Sequence, residues 1–200
     1  MVELIPPQMV SNIISFENSN RSIPLVCQQL DEYTPNGQDL LQALKTKNLD
    51  MLNQIAQARN FDFDQTSLDQ GIIKASKNGY LQIVELLLTL GSDPSTKNNN
   101  AIRSASENGH LAVVERLLKD PRVDPSAKNN NAIRLASVRG YLAVVERLLQ
   151  DARVNPSAEN NEAIRNANKN EHLEVVKRLL QDPRVNPRAV NSFEKWLRYN

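Results

Sequence analysis

Cysteine and histidine, which serve as nucleophiles, bases and metal ligands, are sparse in this chain of 200 residues, which has a single cysteine, Cys27, and two histidines, His110 and His172. One cysteine cannot form an internal disulfide, and the chain has no partner set for a zinc site. The two histidines alternate with Tyr80 and Tyr141 at matching positions, which indicates packing rather than catalysis or metal binding. We find no Ser/His/Asp or Cys/His arrangement and no glycine-rich phosphate loop. We therefore expect no enzymatic activity, no cofactor, no metal and no small-molecule ligand.

Arginine recurs at one spacing, because Arg103, Arg134 and Arg165 lie 31 residues apart. The fork geometry of guanidinium groups suits carboxylates, so this column could present a basic stripe to an acidic peptide. We favour a structural role, in which these side chains bond between neighbouring segments of the chain. The candidate acidic partners are Glu115, Glu146 and Glu162.

Composition narrows the classes of partner. Lys plus Arg number 24 and Asp plus Glu number 23, which leaves no excess positive charge to neutralise a phosphate backbone, so we expect no nucleic-acid binding. No uninterrupted apolar run reaches the roughly 20 residues that a membrane helix needs. Glu3 and a Pro-Pro pair stand where a secretory signal would have a basic flank and an apolar stretch. We expect no membrane contact and a cytoplasmic, reducing location.

Internal repetition decides the architecture. Three segments align without gaps at a period of 31 residues: "AIRSASENGHLAVVERLLKDPRVDPSA" from Ala101, "AIRLASVRGYLAVVERLLQDARVNPSA" from Ala132 and "AIRNANKNEHLEVVKRLLQDPRVNPRA" from Ala163. A fourth segment, from Gly71, lacks one residue before its Asp-Pro, and a fifth, from Leu40, is diverged but keeps the apolar spacing. Within residues 37–190 the sequence therefore predicts repeats at about 40–70, 71–100, 101–131, 132–162 and 163–190.

Each repeat predicts two short helices. Ile102 and Ala105 give the first helix apolar positions at i and i+3, and Gly109 offers the positive φ that ends it. The second helix carries a broad apolar face and ends at "DPR", where proline cannot continue it. Neither helix can bury its face alone, so neighbouring pairs must stack into one elongated core. We predict an all-α solenoid of about five helix pairs.

The pattern resembles the ankyrin repeat, because "GHLAVVERLL" (109–118) and "GYLAVVERLL" (140–149) are similar to that family's glycine-histidine-leucine, Val-Val, Leu-Leu signature. The resemblance covers residues 40 to about 188. "NAIR" replaces the family's threonine-proline-leucine-histidine start, and "DPSAKNNNAIR" (124–134) is about three residues shorter than its hairpin. We therefore expect truncated hairpin tips. Glu171 replaces the helix-ending glycine, so we expect that turn to be strained or rearranged.

The resemblance implies a rigid concave protein-binding surface, lined by the first helices and the hairpin side. Positions that change between otherwise matching repeats are the candidates for contact with a partner. Together with the arginine column, they define the predicted substrate-binding face: Arg103, Ser104, Glu107, Asn108, Arg134, Leu135, Val138, Arg139, Arg165, Asn166, Lys169 and Asn170.

The last ten residues, "NSFEKWLRYN" (191–200), break the repeat. Ser192 is a candidate N-cap, and Phe193, Trp196 and Leu197 fall on one helical face. We predict a helix that caps the last repeat. A terminal sorting or secretion signal is the alternative.

Residues 1–36 match none of the repeats. Pro6-Pro7 and Pro24 can each open a helix, and "TPNGQ" (34–38) supplies turn residues before the repeats begin. The segment predicts a small three-helix unit, which is too short to bury much surface alone. It either packs on the first repeat as a cap or keeps apolar surface for a partner.

The residues themselves resemble the F-box, the segment by which substrate receptors dock onto the Skp adaptor of cullin-RING ubiquitin ligases. "IPPQMVSNIISF" (5–16) begins with Ile-Pro where the family has leucine-proline, and "PLVCQQL" (24–30) contains its leucine-valine-cysteine. The match covers residues 4 to about 33, with a connection about two residues short and Leu30 in place of a common tryptophan. The resemblance implies that the adaptor is contacted by Ile5, Pro6, Met9, Val10, Ile13, Ile14, Leu25 and Val26.

An F-box followed by a repeat array resembles a known division of labour, in which the first part attaches to the ligase and the second holds a substrate. Our hypothesis is a non-catalytic substrate receptor of such a ligase, with an unknown protein as its substrate. The alternative is an ankyrin scaffold or inhibitor that binds one protein partner, with residues 1–36 serving only as a cap. The combination also fits an effector by which an intracellular microbe or virus exploits a ligase in the host cytosol.

Overall fold

The computed structural model describes residues 65–189. The predictions for the F-box-like segment, most of the first repeat and the C-terminal capping helix lie outside these residues. Within them the chain forms eight α-helices, one short 3-10 helix and no strand. None of these helices is long and apolar enough to cross a membrane. The helices are α1 Gln65–Lys77, α2 Leu81–Thr89, α3 Thr96–Glu107, α4 Leu111–Leu118, α5 Ala127–Arg139, α6 Leu142–Leu149, α7 Ala158–Lys169 and α8 Leu173–Leu180, followed by the 3-10 helix Pro187–Ala189.

The helices are arranged in two rows, with α1, α3, α5 and α7 in one and α2, α4, α6 and α8 in the other. Neighbours in the first row contact each other more extensively than neighbours in the second. The first row buries alanines such as Ala105 and Ala136 together with isoleucines such as Ile102, whereas the second row buries only larger side chains such as Leu117 and Leu148. Small side chains let helices approach closely, which accounts for the more extensive contacts within the first row. We call the first row, which the ankyrin resemblance implies to be the concave side, the inner row.

One continuous hydrophobic core joins the helix pairs and extends from Leu68 to Val185. Its most deeply buried side chains recur at the repeat spacing, as in Ile102, Ile133 and Ile164, each fully buried. The predicted elongated core is confirmed. A helix pair separated from its neighbours would expose this apolar face to water, so stacking supplies most of the stabilisation.

Glycine ends the first helices as predicted, because Gly109 and Gly140 have φ values of 75° and 77°. The structure adds a second requirement for glycine. A Cβ at Gly109 would lie 2.7 Å from Cε1 of Tyr141, and a Cβ at Gly140 would lie 2.6 Å from Nδ1 of His172. The ring of each repeat therefore packs on the glycine of the repeat before it.

Glu171 occupies the corresponding position in the last repeat and has a φ of 59°, so the predicted strain is present. A non-glycine residue in this conformation costs roughly 1–2 kcal/mol. No histidine or tyrosine follows within residues 173–189, so no ring from a later repeat packs there in the described part of the chain. A Cβ is therefore tolerated sterically although the backbone is strained.

The second helices do not depend on proline to end, contrary to the prediction from the sequence. Helix α6 ends at Leu149 just as α4 ends at Leu118, yet α6 is followed by Asp-Ala-Arg rather than Asp-Pro-Arg. Proline is therefore not required for the stop. The backbone N–H of Asp151 donates to the carbonyl of Leu148 at 3.1 Å, and that of Asp120 donates to the carbonyl of Leu117 at 3.0 Å. The same backbone hydrogen bond therefore follows both helices, with or without proline.

A left-handed turn precedes the right-handed part of three first helices. Residues 97–99, 128–130 and 159–161 have φ between 50° and 61° and ψ between 39° and 54°. Three successive residues of this kind are unfavourable for L-amino acids. Six of the nine are asparagines, which tolerate this region better than most side chains. The turn lies where the sequence predicts a shortened hairpin.

The third residue of each left-handed turn, an asparagine, connects one repeat to the next. Its side-chain oxygen accepts a hydrogen bond from a backbone N–H 25 residues later: Asn99 from Asp124 at 2.8 Å, Asn130 from Asn155 at 2.6 Å and Asn161 from Asn186 at 2.8 Å. Asn99 and Asn130 are both buried. The strained turn therefore presents an acceptor to a backbone donor that would otherwise lose its partner.

Replacing Asn130 should separate its contribution as a hydrogen-bond acceptor from its tolerance of positive φ. We expect Asn130→Ala to lower the free energy of unfolding by about 2–3 kcal/mol, because it removes the acceptor and the tolerance of positive φ. Asn130→Gly keeps the conformation and should lose less. Asn130→Asp keeps both features and should stay near wild type, since Asp69 already accepts from the N–H of Asp93 at 2.7 Å. Urea unfolding measures all three, and equal losses for Ala and Asp would contradict the assignment.

Replacing Glu171 with glycine should stabilise the protein by about 0.5–1 kcal/mol, because relief of the left-handed strain exceeds the extra freedom of the unfolded chain. Gly140→Ala is the matched opposite change and should destabilise, since the new Cβ meets the ring of His172. Urea unfolding at constant pH measures both. A Glu171→Gly protein less stable than wild type would show that Glu171 makes a compensating contact.

Candidate protein-binding surface

The twelve residues of the predicted substrate-binding face all lie on α3, α5 and α7 or on the residue that ends each helix. These are three adjacent helices of the inner row. Four of the residues, Arg139, Arg165, Lys169 and Asn170, are exposed, and the other eight are half-buried. The structure thus brings the predicted residues to one side of the stack. The predicted adaptor-binding residues, between Ile5 and Val26, lie outside the part that the structure describes.

The varying positions on this side make few contacts with one another. Asn108 and Asn170 donate from Nδ2 to the carbonyls of Ser104 and Asn166, four residues earlier, at 2.8 and 2.7 Å. Both bonds close the last turn of a helix. Between repeats, Arg139 donates to Glu107 at 3.2 Å across adjacent helices. This pair is partly exposed and stabilises the fold by less than about 1 kcal/mol.

The arginine column has a structural role, as the sequence predicts, although its bonds differ from those expected. Arg103 donates to the carbonyls of Lys97 and Asn98 at 3.2 and 3.0 Å, and Arg165 donates to that of Glu159 at 3.1 Å. These carbonyls belong to the left-handed turns. Each arginine therefore braces the turn that precedes its own helix.

Two contacts of this column also reach the following repeat. Arg103 donates to Oδ1 of Asn131 at 3.2 Å, and Arg134 forms an ion pair with Glu162 at 2.6 Å. Of the three acidic partners expected from the sequence, Glu162 is the one found on this column. Glu146 lies instead 3.9 Å from Arg178 of the second row. Arg103 and Arg134 are half-buried and bonded to the protein, whereas Arg165 is exposed and donates one hydrogen bond, so the column does not form a continuous free basic stripe.

The two histidines serve packing, as their alternation with tyrosine indicates. Nε2 of His110 lies 3.0 Å from the carbonyl of Lys77, and Nε2 of His172 lies 2.9 Å from that of Val138. A carbonyl only accepts hydrogen bonds, so Nε2 carries a proton in each case. That nitrogen is unavailable as a base or metal ligand. No cluster of three His, Cys, Asp or Glu side chains suited to a metal occurs within residues 65–189.

Sequence reasoning missed an Asp–Arg pair that recurs after each second helix. Arg153 donates from Nε and one terminal nitrogen to the two carboxylate oxygens of Asp151 at 2.9 and 2.7 Å, and from its other terminal nitrogen to the carbonyl of Val123 at 2.7 Å. Arg122 and Arg184 make the same bonds with Asp120 and Asp182 and with a carbonyl 30 residues earlier. Each pair therefore ties its repeat to the preceding one.

Each Asp–Arg pair shifts the pKa of its aspartate carboxyl group. The hydrogen bonds from Arg153 hold the pKa of the Asp151 carboxyl below its ordinary value, against the opposing effect of burial. The pKa values of Asp120 and Asp182 are lowered for the same reason by Arg122 and Arg184. A carboxyl whose pKa is lower in the folded protein stabilises the fold above its unfolded pKa, and that stabilisation disappears as the pH falls through the folded pKa.

Stacked helix pairs with an unchanging core and a varying inner row define a repeat protein of the kind that recognises other proteins. A family model for ankyrin repeats (3 copies) matches the chain three times, over residues 36–129, 72–160 and 102–191, and no F-box is detected. The chain belongs to the ankyrin repeat family. That family is typically a non-catalytic protein-interaction module. A comparison with curated proteins finds no match to the chain.

Arg153→Met should lower the free energy of unfolding at pH 7 by about 2 kcal/mol, because hydrogen bonds to charged groups are lost and the Asp151 carboxylate loses its partner. The difference from wild type should shrink as the pH falls below about 4, the ordinary aspartate pKa, because the unfolded chain then binds a proton that the folded wild-type carboxylate, with its lowered pKa, takes up only at lower pH. Urea unfolding at pH 7 and pH 3 tests this. Lys119→Met, at an exposed cation, should change little at either pH. An equal loss at both pH values would mean that the ion pair contributes nothing.

Proposed function

We propose that the protein is a non-catalytic substrate receptor that docks on the Skp adaptor of a cullin-RING ubiquitin ligase through its N-terminal segment. The observation that carries this is the order of its parts. The F-box-like residues 4–33 directly precede residue 36, where the matches to the ankyrin family begin. The segment therefore lies outside the repeats, as a separate docking module would.

The repeats supply the second half of the proposed function. The inner row presents side chains that differ between repeats on a framework of buried residues that do not differ. Such a surface can hold one protein while the N-terminal segment holds the adaptor. Tethering both raises the local concentration of the target's lysines near the conjugating enzyme, without any chemistry in this chain. The same proposal covers an effector that acts on ubiquitination in a host cytosol.

A pull-down with purified Skp adaptor tests the docking step. The full-length protein should retain the adaptor, and Ile5→Ala/Pro6→Ala should abolish retention, because the resemblance places these residues in the adaptor interface. Leu173→Ala/Pro183→Ala is the matched control, since both residues are exposed within the repeats, and it should retain the adaptor. Circular dichroism should show the same helix content for both variants.

Failure to retain the adaptor, or retention that survives Ile5→Ala/Pro6→Ala, would sink the docking proposal. An ankyrin scaffold or inhibitor with an N-terminal cap would then remain. A positive result leads to a second comparison, in which ubiquitin-modified proteins are quantified in cells that express wild type or the double variant. Proteins modified only with wild type are the candidate substrates.

A further inference from the structure

The inner row carries an excess of positive charge that the whole chain does not have. Helix α1 and the right-handed parts of α3, α5 and α7 contain seven Lys and Arg but three Asp and Glu. The second-row helices contain four of each. Because the formal net charge of the chain is only +1, the excess is a property of this side of the stack.

The three acidic groups of the inner row are already engaged. Asp69 accepts from the backbone N–H of Asp93, while Glu107 and Glu162 pair with arginines. By contrast, Lys74 and Lys77 on α1 and Lys169 on α7 are exposed, and none of these lysines forms an ion pair within residues 65–189. Among the described residues, their ammonium groups thus have no carboxylate partner and can meet carboxylates of a bound segment.

Between these lysines lies an apolar site. Leu135 and Val138 are spaced i, i+3 on α5, so they share a face of that helix. The matching positions on α3 hold Ser104 and Glu107, and those on α1 and α7 are polar. Both side chains are half-buried, and neither is among the partly buried residues that pack against the hydrophobic core. Their remaining apolar surface faces outward.

We propose that the inner row binds an extended acidic segment of a partner protein, with one apolar side chain seated over Leu135 and Val138. This rests on the proposed protein-binding role of the repeats and is independent of adaptor docking. Neighbouring packed helices lie roughly 10 Å apart, so α5 is about 20 Å from α1 and about 10 Å from α7. An extended chain advances about 3.3 Å per residue. The segment therefore places acidic residues about six positions from the anchor on one side and about three on the other.

Selection from a phage library of random 12-residue peptides against the full-length protein tests this. Enriched peptides should carry a net negative charge and one aliphatic or aromatic residue at the stated spacing. Fluorescence anisotropy then measures the dissociation constant of the most enriched peptide. We expect about tenfold weaker binding when NaCl is raised from 50 to 300 mM, because exposed charges are screened.

Paired variants locate the site. Lys77→Glu/Lys169→Glu and, separately, Leu135→Ser should each weaken the peptide about tenfold. The control Gln82→Glu/Lys119→Glu/Gln150→Glu makes the same change in net charge at exposed positions of the second-row side and should stay within about twofold. Circular dichroism should show unchanged helix content in all of them.

Several results would overturn the inference: no enrichment, enrichment of peptides without acidic residues, or equal binding by the inner-row variants and the control. Loss of self-association in the inner-row variants, measured by sedimentation, would identify a second copy of the chain as the occupant instead. The adaptor pull-down distinguishes this failure from failure of the proposed function. Lys77→Glu/Lys169→Glu should retain the Skp adaptor whichever segment the inner row binds.

Discussion

The stacking of each helix pair on the next is the interaction on which the rest of the structure depends. Burial of side chains such as Val114 and Leu117 drives the stacking, but apolar contact alone does not fix one register. Register comes from polar side chains that reach backbone groups of an adjacent repeat. Arg153 donates to the carbonyl of Val123, His172 donates to that of Val138, and Asn130 accepts from the N–H of Asn155. Because each bond satisfies a backbone group that a shifted neighbour would leave unpaired, the repeats lock in a single arrangement.

The left-handed turn shows how strain and bonding are combined in the short connection between repeats. Three successive residues of positive φ reverse the chain in little space, at a cost in backbone energy. Two side chains offset that cost from opposite directions. Asn99 reaches forward to the next repeat, while Arg103 reaches back from its helix to the carbonyls of the turn. The arginine column and the asparagines of the left-handed turns therefore stabilise the same connection between repeats.

The apolar periodicity of the sequence predicted the helices and their buried faces, because burial acts directly on residue type. It did not predict the contacts made by residues between the helices. Glycine predicted the ends of the first helices, because it adopts positive φ readily. The left-handed turn was missed because its residues are polar, with no apolar period to mark them. The Asp–Arg pairs were also missed, although their signal was present: Arg122, Arg153 and Arg184 stay unchanged between repeats while exposed. An exposed residue that never varies within a repeat array indicates a structural bond, just as one that varies indicates freedom to bind.

The inner row also contains residues that stay unchanged between repeats and residues that vary. Arg103, Arg134 and Arg165 are unchanged and bonded to the protein, so replacing them would alter the fold along with any interface. The neighbouring positions vary and carry few bonds, so their substitution changes the surface at little cost in stability. Apolar side chains can be held there because the core beneath is complete without them. We therefore propose Leu135 and Val138, rather than the arginines, as the centre of the binding surface, with the exposed lysines of α1 and α7 setting the charge of what binds.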